Sequence, residues 1–452
     1  MSKVTIIGAG LAGTEAALQL ANAGFPVELH EMRPKVMTKA HKTGSSAELV
    51  CSNSFRGAAL TNGVGLLKEE LRRAGSYIMR AADLHQVPAG GALAVDRDRF
   101  SQELDGQLRS HPNIKFIEEE ILKIPQASRS EPVIIATGPL TSPSLAEQIK
   151  KLTGEDSLAF FDAISPIIFG DSIDLSKVFR QSRYDKGDGD DYLNISLDKE
   201  QYYEFVKQVL EGEKYGGKEE VEADMVKNLR PFEGCMPIEE MVERGPDTLR
   251  FGPFKPVGLT DPNSGRRPYA VCQLRQDNKE GTLWSMVGMQ TRLKHPEQLR
   301  IFKTLPGLEN AEFVRLGSVH RNTFINSPMC LNGTLEFRTV PGLFFAGQIT
   351  GVEGYVESTA GGLAASHSVK EIIAGREPRI FPIDTAIGSL MNYISDPERK
   401  NFQPMNISFG LMPSYFEIET ESKKKKEGKN ERRLKCSQRA LDSLGSFLEG
   451  RL

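Results

Sequence analysis

Strand, glycine turn, helix and strand follow one another within the first thirty-one residues, MSKVTIIGAGLAGTEAALQLANAGFPVELHE, and this order constrains the fold more than any other stretch. Residues 3–7 form a short apolar run of strand type. Gly8-Ala9-Gly10-Leu11-Ala12-Gly13 follows at once, residues 11–23 read as a helix rich in Ala and Leu closed by Gly24, and residues 27–30 read as a second strand with Glu31 at its end. Each glycine has a physical reason: Gly8 for the tight turn, Gly10 for close approach of a pyrophosphate to the backbone, Gly13 for close packing of helix on strand. The helix start offers free N–H groups and a positive dipole end to phosphates. Glu31 lies eighteen residues beyond Gly13, about where a carboxylate meets a ribose hydroxyl in a dinucleotide site.

A chain of 452 residues exceeds one ordinary core, so two domains, or one with a large insertion, are expected. No apolar run reaches membrane-spanning length, and with a first strand at the very start no secretory leader is expected. The five cysteines, at 51, 235, 272, 330 and 436, form no CxxC pair. Their odd number and scatter argue against a disulfide framework and a metal cluster, and point to reduced thiols in the cytoplasm. A net charge of −3 does not suggest nucleic-acid binding by itself, so any face that binds a nucleic acid has to be local.

Two cysteines stand in contexts where a thiolate is favoured. Cys51 lies in a polar loop after the second strand, close to Arg56, in the region that faces the crevice beyond the strand ends; a packed, inert thiol fits the same loop. Cys235 lies between Gly234 and Met236-Pro237, at a turn entering a helix, where the dipole lowers a thiol pKa; a cysteine that merely fills the turn is the other reading. Residues 244–303 carry eleven Lys and Arg against five acids, a net +6, interleaved with Phe251, Phe254, Tyr269 and Trp284. Such a mixture suits phosphate contacts and base stacking, and it equally describes a solvated face over ordinary core aromatics. Farther on, residues 342–348 run as a strand into a turn, leading through Gly351 and Gly354-Tyr355-Val356-Glu357-Ser358 to a helix near Gly361. A second strand–glycine–helix unit of this kind completes a flavin pocket. Residues 65–82 are expected to form one amphipathic helix, 97–108 a helix capped by Asp96, 197–210 another, and the C-terminus a lysine-rich tail with a short helix bearing Leu434, Leu441, Leu444, Phe447 and Leu448.

The stretches ELVCSNSFRG, RPFEGCMPIEEMVERGPDTLRFGPFKPVGL and LFFAGQITGVEGYVESTAGGLAA, with the N-terminal GAGLAGTEAA, together resemble the TrmFO family, the folate- and FAD-dependent tRNA (uracil-5-)-methyltransferases related to the GidA/MnmG flavoproteins. The resemblance runs over nearly the whole chain. It implies an α/β fold: a Rossmann-like FAD-binding domain of the GR2 type from residues 1–160 and 313–412, an inserted α+β domain at 161–312 on the RNA side, and a C-terminal basic tail and helix at 413–452. It implies that a methylene from 5,10-methylenetetrahydrofolate reaches C5 of the T-loop uridine of tRNA (U54) through reduced FAD, with NADPH or NADH as reductant. By the family pattern Cys235 is the covalent nucleophile at C6, and Cys51 assists near the flavin, with removal of the C5 proton as one role open to it. The expected cofactor-binding residues are Gly8, Ala9, Gly10, Leu11, Ala12, Gly13, Glu31, Gly347, Gln348, Gly351, Gly354, Tyr355, Glu357, Ser358 and Gly361. The expected RNA contacts are Arg250, Lys255, Arg266, Arg267, Arg275 and Arg292, and the segment 320–326 is a candidate contributor to the folate or flavin pocket. No metal and no membrane partner is expected, and the chain is expected to act as a monomer or weak oligomer. The same chemistry on ribosomal RNA, a small-molecule FAD oxidoreductase and a non-catalytic flavin-containing RNA-binding protein remain open alternatives.

Overall fold

The computed structural model describes residues 2–38, 40–154, 158–215, 236–400, 402–425 and 427–450. β1 (Val4–Ile7) is nearly all apolar and buried, as a strand covered on both faces requires. It pairs in parallel with β2 (Val27–Glu31), Val4 opposite Val27 and Ile7 opposite His30. Strand Val133–Ile135 joins its other edge, Leu343–Phe345 lies outside that, and Ile114–Glu118 lies outside β2, giving five parallel strands. A sheet begun at residue 4 is therefore finished by residue 345. α1 (Leu11–Asn22) is buried along most of its length. Its close neighbour is the helix Tyr355–Ile373, approached through small residues: a Cβ on Gly362 would lie 2.2 Å from Ala12 O, and one on Gly347 2.7 Å from Ala12 Cβ.

Between these halves lies a second hydrophobic core under a six-stranded sheet, in the order Val178–Arg180, Tyr192–Leu197, Ala270–Gln276, Leu283–Met286, Ile167–Phe169 and Phe313–Arg315, whose neighbours are antiparallel. Helix Lys199–Glu211 inserts Tyr202, Phe205, Val206 and Val209 into this core. It starts at a capping box: Gln201 N donates to Asp198 Oδ1, and Asp198 N to Gln201 Oε1. A two-stranded antiparallel ribbon, Leu158–Ala163 with Val319–Phe324, connects the two bodies. The architecture is thus an all-parallel Rossmann-like sheet with an α+β insertion.

Two expectations change. The helix expected over 65–82 is two helices, Gly63–Arg73 and Tyr77–Leu84. Gly75, at φ +76°, ends the first in a left-handed turn that favours glycine. Ser76 then caps the second by accepting from Met79 N, and buried Glu15 of α1 accepts from Ser76 Oγ and Ile78 N. The C-terminal helix, expected to be short, spans twenty-one residues. Helices Pro413–Lys425 and Lys429–Glu449 follow one another, and the second places Cys436, Ala440, Leu441, Leu444 and Phe447 in the first core. Those five recur at the period of one helical stripe, whereas Leu434, expected on that stripe, is exposed.

Candidate active site

The carboxyl ends of the parallel strands open into a cleft, the place where ligands sit in sheets of this kind. Its wall includes Gly8, Gly10, Leu11, Ala12, Glu31, Gly347, Gln348, Tyr355 and Ser358. The three glycines of the first turn divide their work. A Cβ on Gly8, at φ +99°, would lie 2.6 Å from Ala136 O, and one on Gly13 would lie 1.8 Å from Gly8 O, so both positions are closed by backbone. A Cβ on Gly10 would meet nothing within 4 Å; it would stand in the open cleft. Gly10 is also the N-cap of α1 and supplies no side-chain cap, which leaves the helix start available to an anion. These observations fit a pyrophosphate. Glu31 is buried, accepting from Ala9 N at 2.9 Å and from Arg33 N and Nε at 3.0 and 2.9 Å. Burial works against its charge, but the Arg33 guanidinium and the N–H donors outweigh it and hold the carboxyl below its ordinary value.

This cleft shares Val50, Pro139, Leu140, Gln348 and Tyr355 with a second cavity. Cys51, half-buried, lies in the wall of that second cavity. Its peptide is fixed on both sides. Cys51 N and Ser52 N donate to Tyr355 Oη at 2.9 and 3.1 Å. Arg315 Nη1 and Nη2 donate to Val50 O and Cys51 O at 2.7 and 3.3 Å. Arg97 donates to Leu49 O at 2.6 Å while its guanidinium pairs with Asp277. Arg275 donates to Asn53 Oδ1 and Ser52 Oγ at 2.9 and 2.7 Å. Burial, then neighbouring Arg97, pushes the Arg315 pKa down to about 10, and burial keeps the Tyr355 phenol protonated. Three arginines from three elements therefore hold residues 49–53. Sequence reasoning finds Cys51 and misses Arg97 and Arg315, because nothing local distinguishes an arginine that will donate to a distant loop carbonyl.

Of the other expected cofactor residues, Gly354 lines the second cavity, as does Asn322 of the segment 320–326. Ala9 donates to Glu31. Gly351 and Gly361 line neither cavity; added Cβ atoms would strike the Phe402 ring and Gly347 N, so packing requires these glycines. Glu357 is fully buried; its carboxylate pairs with Arg56 and accepts from Ile407 N, so it orients Arg56, which does line the second cavity. Cys235 lies outside the described residues. Just after it, Ile238 N donates to the carbonyl of Gln290, a residue of the second cavity.

The basic stretch separates into surface and interior. Lys255, Arg266 and Arg267 are exposed. Arg250 stacks on Tyr269, 3.6 Å from its ring centroid, and pairs with Asp247; Arg292 pairs with Glu240. Phe254 and Trp284 belong to the second core, and Phe251 is 82% exposed. Arg275 contradicts its expected place on an RNA surface: strand Ala270–Gln276 turns it inward, where it is buried on the Cys51 loop. Among the described residues no group of His, Cys, Asp and Glu could hold a metal, and no helix is long and apolar enough to cross a membrane.

Residues 3–377 match the family model described as Glucose inhibited division protein A. The chain is 56% identical over 445 residues, 98% of both chains, to the Methylenetetrahydrofolate--tRNA-(uracil-5-)-methyltransferase TrmFO of Heliobacterium modesticaldum. It is 54% identical over 450 residues, the full length of both, to the protein of that name from Natranaerobius thermophilus. Among solved structures, Aquifex aeolicus GidA in its form II crystal aligns with a TM-score of 0.68 at 16% identity, over 98% of this chain and 73% of that one.

Proposed function

This chain belongs to the GidA family, in its TrmFO branch, and we propose that it is an FAD-dependent enzyme that uses methylenetetrahydrofolate to methylate C5 of the T-loop uridine of tRNA, U54, with NAD(P)H as reductant. One observation carries the reading: a cleft that fits a dinucleotide adjoins a second cavity with a half-buried cysteine in its wall, between two hydrophobic cores. The start of α1 and Gly10 would hold the FAD pyrophosphate, and Glu31 the ribose. When bound, FAD supplies the redox and one-carbon chemistry of the reaction. The chain's own residues supply the rest.

Uracil C5 is a weak nucleophile. The Cys235 thiolate adds to C6; the C5–C6 electron pair moves toward the O4 carbonyl, and the resulting enolate makes C5 nucleophilic. After C5 gains its one-carbon unit the C5 proton must leave, and Cys51, in the cavity wall, is the residue assigned to assist. The carbon gained at C5 is at the methylene level, so a hydride, which reduced FAD would supply when bound, is needed to make it a methyl group, and expulsion of the Cys235 thiolate restores the ring. The target base has to leave its stack to reach these groups. Lys255, Arg266 and Arg267, exposed on the second body, are the proposed phosphate contacts.

The covalent step has a direct test. A T-arm RNA with 5-fluorouridine at the target position cannot release its C5 substituent as a proton. With folate and reductant present, the wild type and Cys51→Ala proteins are expected to yield a denaturant-stable protein–RNA adduct. Cys235→Ala is expected to yield none. An adduct that persists in Cys235→Ala assigns the nucleophile to another residue.

A further inference from the structure

The residue that the sequence places among RNA contacts has another use in the structure. Arg275 stands near the end of strand Ala270–Gln276, in the second body. Its guanidinium is buried, and its hydrogen bonds to Asn53 Oδ1 and Ser52 Oγ both reach the two residues that follow Cys51 in the first body. Those acceptors are themselves fixed. Asn53 Nδ2 donates to Val95 O at 3.0 Å and to Gln276 O at 2.9 Å, so the asparagine is pinned from both bodies. Ser52 Oγ also accepts from Ser54 N. Arg275 and Cys51 both face the second cavity.

We propose that Arg275 is a positioning residue for Cys51: from the second body it holds Ser52 and Asn53 and so fixes the direction of the thiol in the shared cavity. The physical case rests on shape as much as charge. A planar guanidinium with donors in a fixed fork can hold two acceptors at once, which an ammonium on a flexible stem cannot do with the same geometry. A short loop gripped at residues 49, 50, 51, 52 and 53 has few ways to move its side chain. The anchor also joins the thiol loop to the strand that follows the exposed Arg266 and Arg267, so the body proposed to meet RNA also sets the thiol.

This inference rests on the methyltransferase reading, and its test separates the two. The full-length, FAD-loaded protein and its Arg275→Ala variant are compared in two assays. The first is peptide-resolved alkylation of Cys51 by iodoacetamide without RNA; the second is methyl transfer to tRNA at varied RNA concentration. In the variant Cys51 is expected to alkylate roughly tenfold faster as its loop is released. The maximal methylation rate is expected to fall on the order of 100-fold, the cost of a misplacement of about 1 Å, with little change in KM for RNA. Added guanidinium ion is expected to restore part of both. If Arg275→Ala fails to retain flavin, Arg275→Lys, which keeps the charge without the fork, and Ser52→Ala, which removes one acceptor, are measured by the same readouts. Unchanged alkylation overturns the proposal, as does a higher KM for RNA at an unchanged maximal rate, the signature of an RNA contact. If the wild type transfers no methyl group, the enzymatic reading fails, and alkylation still decides whether Arg275 positions the thiol.

Discussion

At the scale of single residues, the buried polar groups are the ones that tie the site to the scaffold. Lys68 is fully buried, and its ammonium donates to the carbonyls of Phe55, Arg56 and Gly57 at 2.9, 2.9 and 2.8 Å. Three acceptors match three donors, and they secure the strand Ser54–Gly57 directly after the Cys51 loop. Two residues on, Glu70 is also fully buried and accepts from Ala386 N and Ile387 N at 2.7 and 2.8 Å, at the start of helix Ala386–Ser395. Burial pushes its carboxyl up to about 8 against those two donors. The folded protein therefore binds more protons at this group than the unfolded chain between the ordinary carboxylate value and about pH 8. Stability from Glu70 is full at the acid end of that window and is lost as pH rises through it, by an amount on the order of 4 kcal/mol. Glu70→Gln removes this slope. Melting temperatures at pH 5 and pH 8 are expected to shift in favour of the variant, relative to wild type, at the higher pH; an equal difference at both values contradicts the assignment.

At the scale of elements, α1 shows how one glycine motif serves both packing and binding. Gly10→Ala adds a methyl group to open space in the cleft at a position with ordinary negative φ, so the protein is expected to fold with a near wild-type melting temperature and to bind flavin roughly tenfold less tightly, about 1.4 kcal/mol. Gly13→Ala drives a methyl group to 1.8 Å from Gly8 O and is expected to give little folded protein. Flavin absorbance per folded chain separates the two; equal flavin content in wild type and Gly10→Ala contradicts a pyrophosphate at this helix start. What was legible in the sequence divides along the same line. The strand–turn–helix–strand order, the acid at its end and the cysteine loop are local patterns, and they were readable because each depends on neighbours in the chain. The break at Gly75 is local as well, a glycine followed by a capping serine, and a reading by apolar periodicity alone passes over it. The docking of helix Lys429–Glu449 and the inward turn of Arg275 are decided by partners far away in sequence: the first core for Phe447, Asn53 for Arg275. The aromatic residues of the basic stretch show the same limit, since Trp284 and Phe254 serve the second core while Phe251 remains on the surface.

At the scale of the molecule, a parallel sheet interrupted by an antiparallel one places the cysteine loop where both bodies can grip it. Besides Arg275, the seam is spanned by the pairing of Arg97 with Asp277 and by hydrogen bonds from Lys279 N to Asp96 and from Tyr192 Oη to Ala89 O. Lys255, Arg266 and Arg267, the proposed phosphate contacts, are exposed on the second body, and with a net charge of −3 for the whole chain any RNA affinity has to be local. Arg266→Glu with Arg267→Glu is expected to raise KM for tRNA while leaving the maximal rate near wild type, and to lower the salt slope by about 1 for each phosphate that is no longer bound. A fall in the maximal rate alone contradicts a docking role. The most direct test of the whole account follows a labelled one-carbon unit. Purified protein with FAD, NADPH and methylenetetrahydrofolate labelled in that unit is given unmodified tRNA beside a ribosomal-RNA fragment. The account predicts label in 5-methyluridine at the T-loop position of tRNA, lost in both Cys51→Ala and Cys235→Ala. Absence of label from either RNA, with NADPH oxidised at the same rate whether RNA is present or not, would contradict it.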